Sequence, residues 1–269
     1  MRLCIILCRG RITNRLGKEE RSMKKILVIG NSYGVDATRY LYGIARAAKK
    51  DVKIVCLHIG GCSLYRHYRN MLSEEKVYEY YIDGINSGLR VSLKEALLSD
   101  EWDNVVLQQC SPRSGEYETY LPYLPELSAY VRKLAPAAKQ YIHMTWTYAE
   151  GSVRFKLSPF ETREEMIPRV KEAYLKAAEE INADGVIPSM DAMCKLYDAI
   201  GEGTYRDGFH CSLGVGRYML GCVWFMVLFG KDIDGNSFRD FDIEVSEDEV
   251  KLAQSIAKQT VLENGYLLK

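Results

Sequence analysis

Four short segments, far apart in the chain, carry residue types that can do chemistry together. The first is Gly30-Asn31-Ser32, directly after the apolar run Ile26-Leu27-Val28-Ile29. A serine hydroxyl becomes a nucleophile once a neighbouring base takes its proton. The second is Tyr205-Arg206-Asp207-Gly208-Phe209-His210-Cys211-Ser212, in which Asp207 stands three residues before His210. From a loop, an aspartate at that spacing can reach the imidazole Nδ1, fix the tautomer and leave Nε2 free to accept a proton. The third and fourth are strand ends, Gly60-Gly61-Cys62-Ser63 and Leu107-Gln108-Gln109-Cys110-Ser111. Their backbone and side-chain amides can donate to a ligand. Each segment also has a plainer reading. Ser32 can cap a helix, Gly60-Gly61 can be a tight turn, the glutamines can tie loops, and Asp207 and His210 can form a loop ion pair. Their joint occurrence carries the argument, because nucleophile, base, orienting acid and amide donors are the parts of acyl transfer.

The elements that must position these residues read as alternating strands and helices. Lys25 to Gly30 is a strand buried on both faces, and Val35 to Lys50 has helical spacing, with Tyr40, Leu41, Ile44 and Ala48 on one face. Ser32 therefore falls in a strand-to-helix turn at the carboxyl end of a strand, where open α/β sheets place ligands. Val52 to Ile59 is a second strand, Leu64 to Leu72 a helix, and Ser92 to Leu98 a short helix. Val77 to Val91 is a hairpin or small excursion from the main sheet, expected as a flap over the site. Asn104 to Gln109, Gln140 to Met144 and Gly185 to Pro188 supply further strands. Tyr120 to Ala135, Arg163 to Ile181, Met190 to Ile200 and Leu213 to Phe229 supply helices, and Ser246 with Glu249 opens a last helix with a capping box. His143 reads as a satisfied histidine rather than a catalytic one. This alternation predicts one domain, residues 23–269, on a parallel sheet covered on both sides.

Composition narrows the class. The 269 residues carry zero formal net charge and no long basic run, which argues against a nucleic-acid partner. No segment reaches the length of a membrane span. The eight cysteines show no CxxC pair or metal-ligand spacing, so neither a disulfide framework nor a metal site is expected, and a reducing cytoplasm is. Nineteen tyrosines, many in Tyr65 to Tyr81 and Tyr117 to Tyr130, point to amphipathic surface around a pocket. Residues 1–22 read as a tail or an extended start, because Met23-Lys24-Lys25 is a natural beginning.

The set Gly30-Asn31-Ser32, Gly60-Gly61-Cys62-Ser63-Leu64, Leu107-Gln108-Gln109-x-Ser111 and Asp207-Gly208-x-His210 resembles the GDSL/SGNH hydrolase superfamily over residues 24–230. The resemblance is to a subgroup with the pattern GNS…GGCSL…LQQxS…DGxH. It implies a flavodoxin-like three-layer α/β/α sandwich on a five-stranded parallel sheet of order 2-1-3-4-5. It also implies Ser32 as nucleophile, His210 as base, Asp207 as its partner, and the amides of Ser32 and Gly61 as oxyanion donors. Two departures stand out. Asn31 occupies the place usually held by Asp, and the third block reads Cys110-Ser111-Pro112-Arg113 without its usual Asn. Gln109, or alternatively Gln108, is then expected to complete the oxyanion hole, with Asn31, Gln108 and Trp146 lining the substrate site.

The implied activity is hydrolysis of an ester bearing a small acyl group, such as acetyl on a carbohydrate, with no cofactor. Its alternative is a non-catalytic module that binds acylated sugars on the same fold. Gly30-x-Ser32-x-Gly34 also matches the α/β-hydrolase elbow, but there several strands precede the serine and the acid lies well upstream of the histidine. A nucleotide-binding Rossmann domain fits less well, since the first turn lacks GxGxxG.

Overall fold

The computed structural model describes residues 23–268. The tail expected over residues 1–22 lies outside the described residues.

The chain opens with β1 (Lys24–Gly30), whose last five residues are fully buried. It continues through α1 (Ser32–Thr38), α2 (Leu41–Ala47), β2 (Val52–His58), α3 (Leu64–Ser73) and the hairpin β3 (Tyr78–Ile82) and β4 (Ile85–Val91). Next come α4 (Leu93–Leu98), β5 (Asn104–Leu107), α5 (Tyr123–Leu134), β6 (Lys139–His143) and α6 (Arg163–Glu180). The C-terminal part holds β7 (Gly185–Ile187), α7 (Ser189–Ile200), α8 (Val215–Phe229) and α9 (Glu247–Glu263).

The sheet is mixed and seven-stranded, in the order β4-β3-β2-β1-β5-β6-β7, which corrects the expected five-stranded parallel sheet. From β2 to β7 neighbouring strands pair in parallel. The other two strands are the segment expected as a flap. β3 pairs antiparallel with β2 and β4 with β3, so the hairpin widens the sheet instead of leaving it. Its turn is anchored on β2 from both sides: Asp83 N–H donates to the Ile54 carbonyl at 2.8 Å, and Ile54 N–H donates to Asp83 Oδ1 at 2.9 Å. Tyr78 and Tyr80 alternate into the core while β4 stays largely exposed. This is the pattern of an edge with one solvated face.

The helix expected over Val35 to Lys50 is broken at Arg39-Tyr40. Tyr40 is held from across the fold, its hydroxyl donating to the Leu213 carbonyl at 2.7 Å and accepting from Asp242 N–H at 2.9 Å. Local helical spacing yields there to long-range bonds. The helices form two packing groups with the sheet between them. α1, α2, α7 and α9 gather around α8, while α3, α4 and α5 pack together on the other side, with α6 against β6 and β7. α8 is apolar on nearly every face and almost wholly buried, as expected of a helix surrounded by others. Among the described residues, no helix is long and apolar enough to cross a membrane.

Candidate active site

Ser32 is freed for chemistry by its neighbour. The residue capping α1 is Asn31, whose side-chain oxygen accepts from Tyr33 N–H at 3.1 Å. Capping is thus done by Asn31, and Ser32, as the first helical residue, keeps its hydroxyl free. That hydroxyl lies 2.8 Å from His210 Nε2. His210 Nδ1 lies 2.7 Å from Asp207 Oδ2. An ionised carboxylate can only accept, so the proton sits on Nδ1 and Nε2 accepts from Ser32. Asp207 Oδ1 in turn accepts from the His210 amide at 2.8 Å and the Phe209 amide at 3.2 Å. Partial burial pulls the Asp207 carboxyl upward, but these bonds from His210 and Phe209 outweigh it and hold the group below the usual carboxylate range.

The loop carrying Asp207 and His210 is closed and then clamped. An isolated bridge joins Tyr205 to Cys211, Arg206 N–H donates to the His210 carbonyl at 3.1 Å, and Ser212 N–H to the Thr204 carbonyl at 2.8 Å. Arg206 Nη1 also reaches the Cys211 carbonyl at 2.6 Å and both oxygens of Asp36, at 3.1 and 3.0 Å. Arg217 of α8 binds the same carboxylate through Nε at 2.9 Å and Nη2 at 2.8 Å. Asp36 is buried on α1, one helical turn beyond Ser32. A buried carboxylate with two guanidinium partners thereby fixes the base loop to the helix that carries the nucleophile.

A second set of bonds, all neutral, fixes Asn31. Gln108 Nε2 donates to Asn31 Oδ1 at 2.8 Å, and Gln108 Oε1 lies 2.9 Å from His143 Nδ1. His143 Nε2 lies 3.0 Å from Ser189 Oγ, which accepts from Trp224 Nε1 at 3.2 Å. Asn31 Nδ2 closes the line on the Cys62 carbonyl at 3.2 Å. Only one assignment satisfies every atom: Trp224 donates to Ser189, Ser189 to His143, His143 to Gln108, and Gln108 to Asn31. Gly30 permits the close approach, since a Cβ there would lie 2.8 Å from Gln108 Oε1.

Three of the expected side chains, those of Gln109, Gln108 and Trp146, are committed to other partners. Gln109 does not reach Ser32. Its Oε1 accepts from the amides of Leu64 at 2.9 Å and Cys110 at 3.0 Å, and its Nε2 donates to Thr119. Its amide is fully engaged in joining loops. Gln108, the alternative donor, and Asn31 are engaged in the buried line above, although Asn31 also borders the cavity. Trp146 is wholly buried, stacked on Tyr33 at 4.0 Å between ring centroids, with Nε1 donating to the Phe209 carbonyl at 2.8 Å. It positions cavity walls and does not line the cavity.

The cavity itself, about 370 Å³, is bordered by Asn31, Ser32, Tyr33, Gly60, Gly61, Ser111, Pro112, Arg154, Phe209 and His210. Among the described residues, neither the Ser32 nor the Gly61 amide has a hydrogen-bond partner. Gly61 has φ +61, and a Cβ there would meet nothing within 4 Å, so its backbone faces open space in a conformation that favours glycine. Three bordering residues escaped the sequence reading. Ser111 stands in the block that lacks the usual Asn, and its Oγ accepts from Tyr148 at 3.1 Å. The Tyr33 hydroxyl is buried without a partner, and burial keeps it protonated far above its ordinary value. Arg154 comes from the segment read only as a loop. Ser111 was visible as a hydroxyl in that third block, whereas nothing local singles out Arg154. No group of three or more His, Cys, Asp or Glu is placed to hold a metal among the described residues.

The α/β fold that carries this site is similar to that of solved structures described as SGNH or GDSL type. A protein from Slackia heliotrinireducens proposed to be an SGNH hydrolase superposes with TM-score 0.55 at 23% identity, covering 77% of this chain and 99% of that one. A proposed GDSL-like lipase from Parabacteroides merdae gives 0.50 at 16% identity, covering 76% and 96%. At those identities the likeness is one of fold. The chain belongs to the DUF4886 family, described as a domain of unknown function, whose model matches residues 25–260. A DUF4886 protein from Bacteroides uniformis is 31% identical, with TM-score 0.82 over 91% of this chain and 97% of that one. No curated protein matches the chain.

Proposed function

We propose that this protein is a serine ester hydrolase that removes a small acyl group, acetyl in the first instance, from a carbohydrate. The observation that carries the reading is the series Ser32 Oγ, His210 and Asp207, joined at 2.8 and 2.7 Å beside two unpartnered amides in one cavity. In the mechanism, Ser32 Oγ attacks the ester carbonyl while its proton passes to His210 Nε2. The oxyanion forms towards the Ser32 and Gly61 amides, with the Ser111 hydroxyl in the place the sequence assigned to a glutamine. The C–O bond to the alcohol breaks and His210 returns the proton to the leaving oxygen. Water then gives a proton to His210 and attacks the acyl carbon, the bond to Ser32 Oγ breaks, His210 returns the proton to that oxygen, and the acid is released.

The small cavity supports a short acyl group. An adjoining cleft of about 770 Å³ shares Gly61 and Pro112 with it and is walled by Tyr65, Tyr123, Leu121 and Leu157. Such aromatic walls suit a further ring of a longer saccharide that extends beyond the ester-bearing residue. A comparably large cleft between α6 and α7 is lined by Arg163, Lys171, Asp191 and other charged groups, and burial pushes up the Cys194 thiol that borders it.

The test is hydrolysis of p-nitrophenyl acetate by wild type and by folded Ser32→Ala and His210→Ala, with fluorophosphonate labelling of wild type. The expected result is activity and labelling in wild type only. A folded wild type that is neither labelled nor more active than the variants would leave the binding module as the reading.

A further inference from the structure

We propose that Arg154 recognises a negative charge on the alcohol part of the ester, so that the substrate is the acylated form of an acidic alcohol, a uronate or a phosphorylated polyol. The inference rests on the esterase reading and narrows its substrate class.

Among the described residues, Arg154 is the cation bordering the cavity, and no acidic residue borders it. Its guanidinium lies 3.8 Å from the centre of the Phe209 ring. A guanidinium held over an aromatic face keeps its edge N–H groups available for a planar oxyanion. Both halves of this arrangement are anchored. Arg154 sits in the 3-10 turn Val153–Leu157, which is capped by Ser152. The loop bearing Phe209 is tied to the segment after β6 by Trp146 Nε1 on the Phe209 carbonyl and by Ala149 N–H on the Gly208 carbonyl, each at 2.8 Å.

The side of the cavity follows from the reaction. His210 must hand its proton to the leaving oxygen, so the alcohol occupies the histidine side. The Phe209 ring packs 3.9 Å from the His210 ring, centre to centre, and Arg154 lies on Phe209. The charge it meets is therefore carried by the alcohol and not by the acyl group. A carboxylate and a phosphate offer this fork the same chemistry.

The experiment compares kcat/KM for O-acetylated glucuronate against its methyl ester, and for 1-acetylglycerol 3-phosphate against monoacetylglycerol, in wild type, Arg154→Gln and Arg154→Lys. Wild type should prefer the charged member of at least one pair. Arg154→Gln should lower that charged-to-neutral ratio by about tenfold or more, the effect of a charge-assisted bond, and Arg154→Lys should restore part of it. A preference in the first pair identifies a carboxylate and in the second a phosphate. In the inactive Ser32→Ala background, calorimetry should show acetylated glucuronate or 1-acetylglycerol 3-phosphate binding more tightly than its neutral counterpart, with the difference removed by Arg154→Gln. Equal ratios in wild type and Arg154→Gln would overturn the proposal, as would a charge preference confined to the acyl side, seen as p-nitrophenyl hemisuccinate favoured over acetate. Either result, with p-nitrophenyl acetate still hydrolysed through Ser32, leaves the esterase reading standing. Absence of that hydrolysis would remove both.

Discussion

His210 and His143 each bridge two oxygen atoms at the carboxyl end of the sheet, and they are chemically opposite. His210 lies between Asp207 and Ser32 and borders a cavity. His143 lies between Gln108 and Ser189 with no exposed surface. Burial alone pushes His143 down to about 3, because its partners are neutral and nothing offsets the loss of water. A carboxylate opposite His210 can stabilise the imidazolium formed as Ser32 loses its proton. The number and length of hydrogen bonds do not separate a reactive histidine from a structural one. The charge of the partner and access to a cavity do.

Replacing each histidine is the sharpest way to break that contrast. His210→Ala should lower kcat for p-nitrophenyl acetate by about 10⁴–10⁶, in the range of triad deletions. His143→Ala should act first on folding, since it orphans Gln108 Oε1 and Ser189 in the core, at about 1–3 kcal/mol for each group. Equal losses of kcat in the two folded variants would erase the distinction.

The two regions are also held by different forces. The His210 loop depends on Asp36 between Arg206 and Arg217, whereas the His143 line contains no charge. Asp36→Asn leaves two guanidinium groups beside a neutral amide and should destabilise the fold by about 3–5 kcal/mol in urea titration. Loss of less than about 1 kcal/mol would show that the clamp contributes little.

The effect with the smallest increment, per group and per pH unit, is in pH. His143 and His67 are both pushed down to about 3 by burial, with nearby Arg66 adding to the effect at His67. Between the ordinary histidine value and about 3 the unfolded chain binds protons that the folded one refuses. Their contribution is therefore complete above about pH 6.5 and falls as pH drops, by up to about 1.4 kcal/mol per pH unit for each group. The urea midpoint should decrease from pH 7 to pH 5, and His143→Gln should make that decrease shallower. A midpoint that rises on acidification would contradict the burial argument.

Much of this site could be read along the chain. The serine after a short buried strand, the Asp207–His210 spacing and the glycine pair are local patterns, and the structure places all three around one cavity. The glutamines could not be sorted the same way. Gln108 and Gln109 are adjacent, and alternation along a strand sends neighbouring side chains to opposite faces. Which one meets Asn31 and which one meets Thr119 depends on loops distant in sequence. The hairpin shows the same limit. Its alternating pattern was plain, but pairing with β2 decided whether it would extend the sheet or cover the site.

By itself, then, the sequence determined the alternating α/β order, the parallel core strands and the four segments singled out as candidate site residues, because these rest on periodicity and short-range spacing. Only the tertiary structure decided the seven-stranded sheet, the break between α1 and α2, and the presence of Ser111 and Arg154, but not Gln109, at the cavity beside Ser32. Those outcomes come from bonds and packing between segments far apart in the chain, where geometry in space, not distance along the backbone, selects the partner.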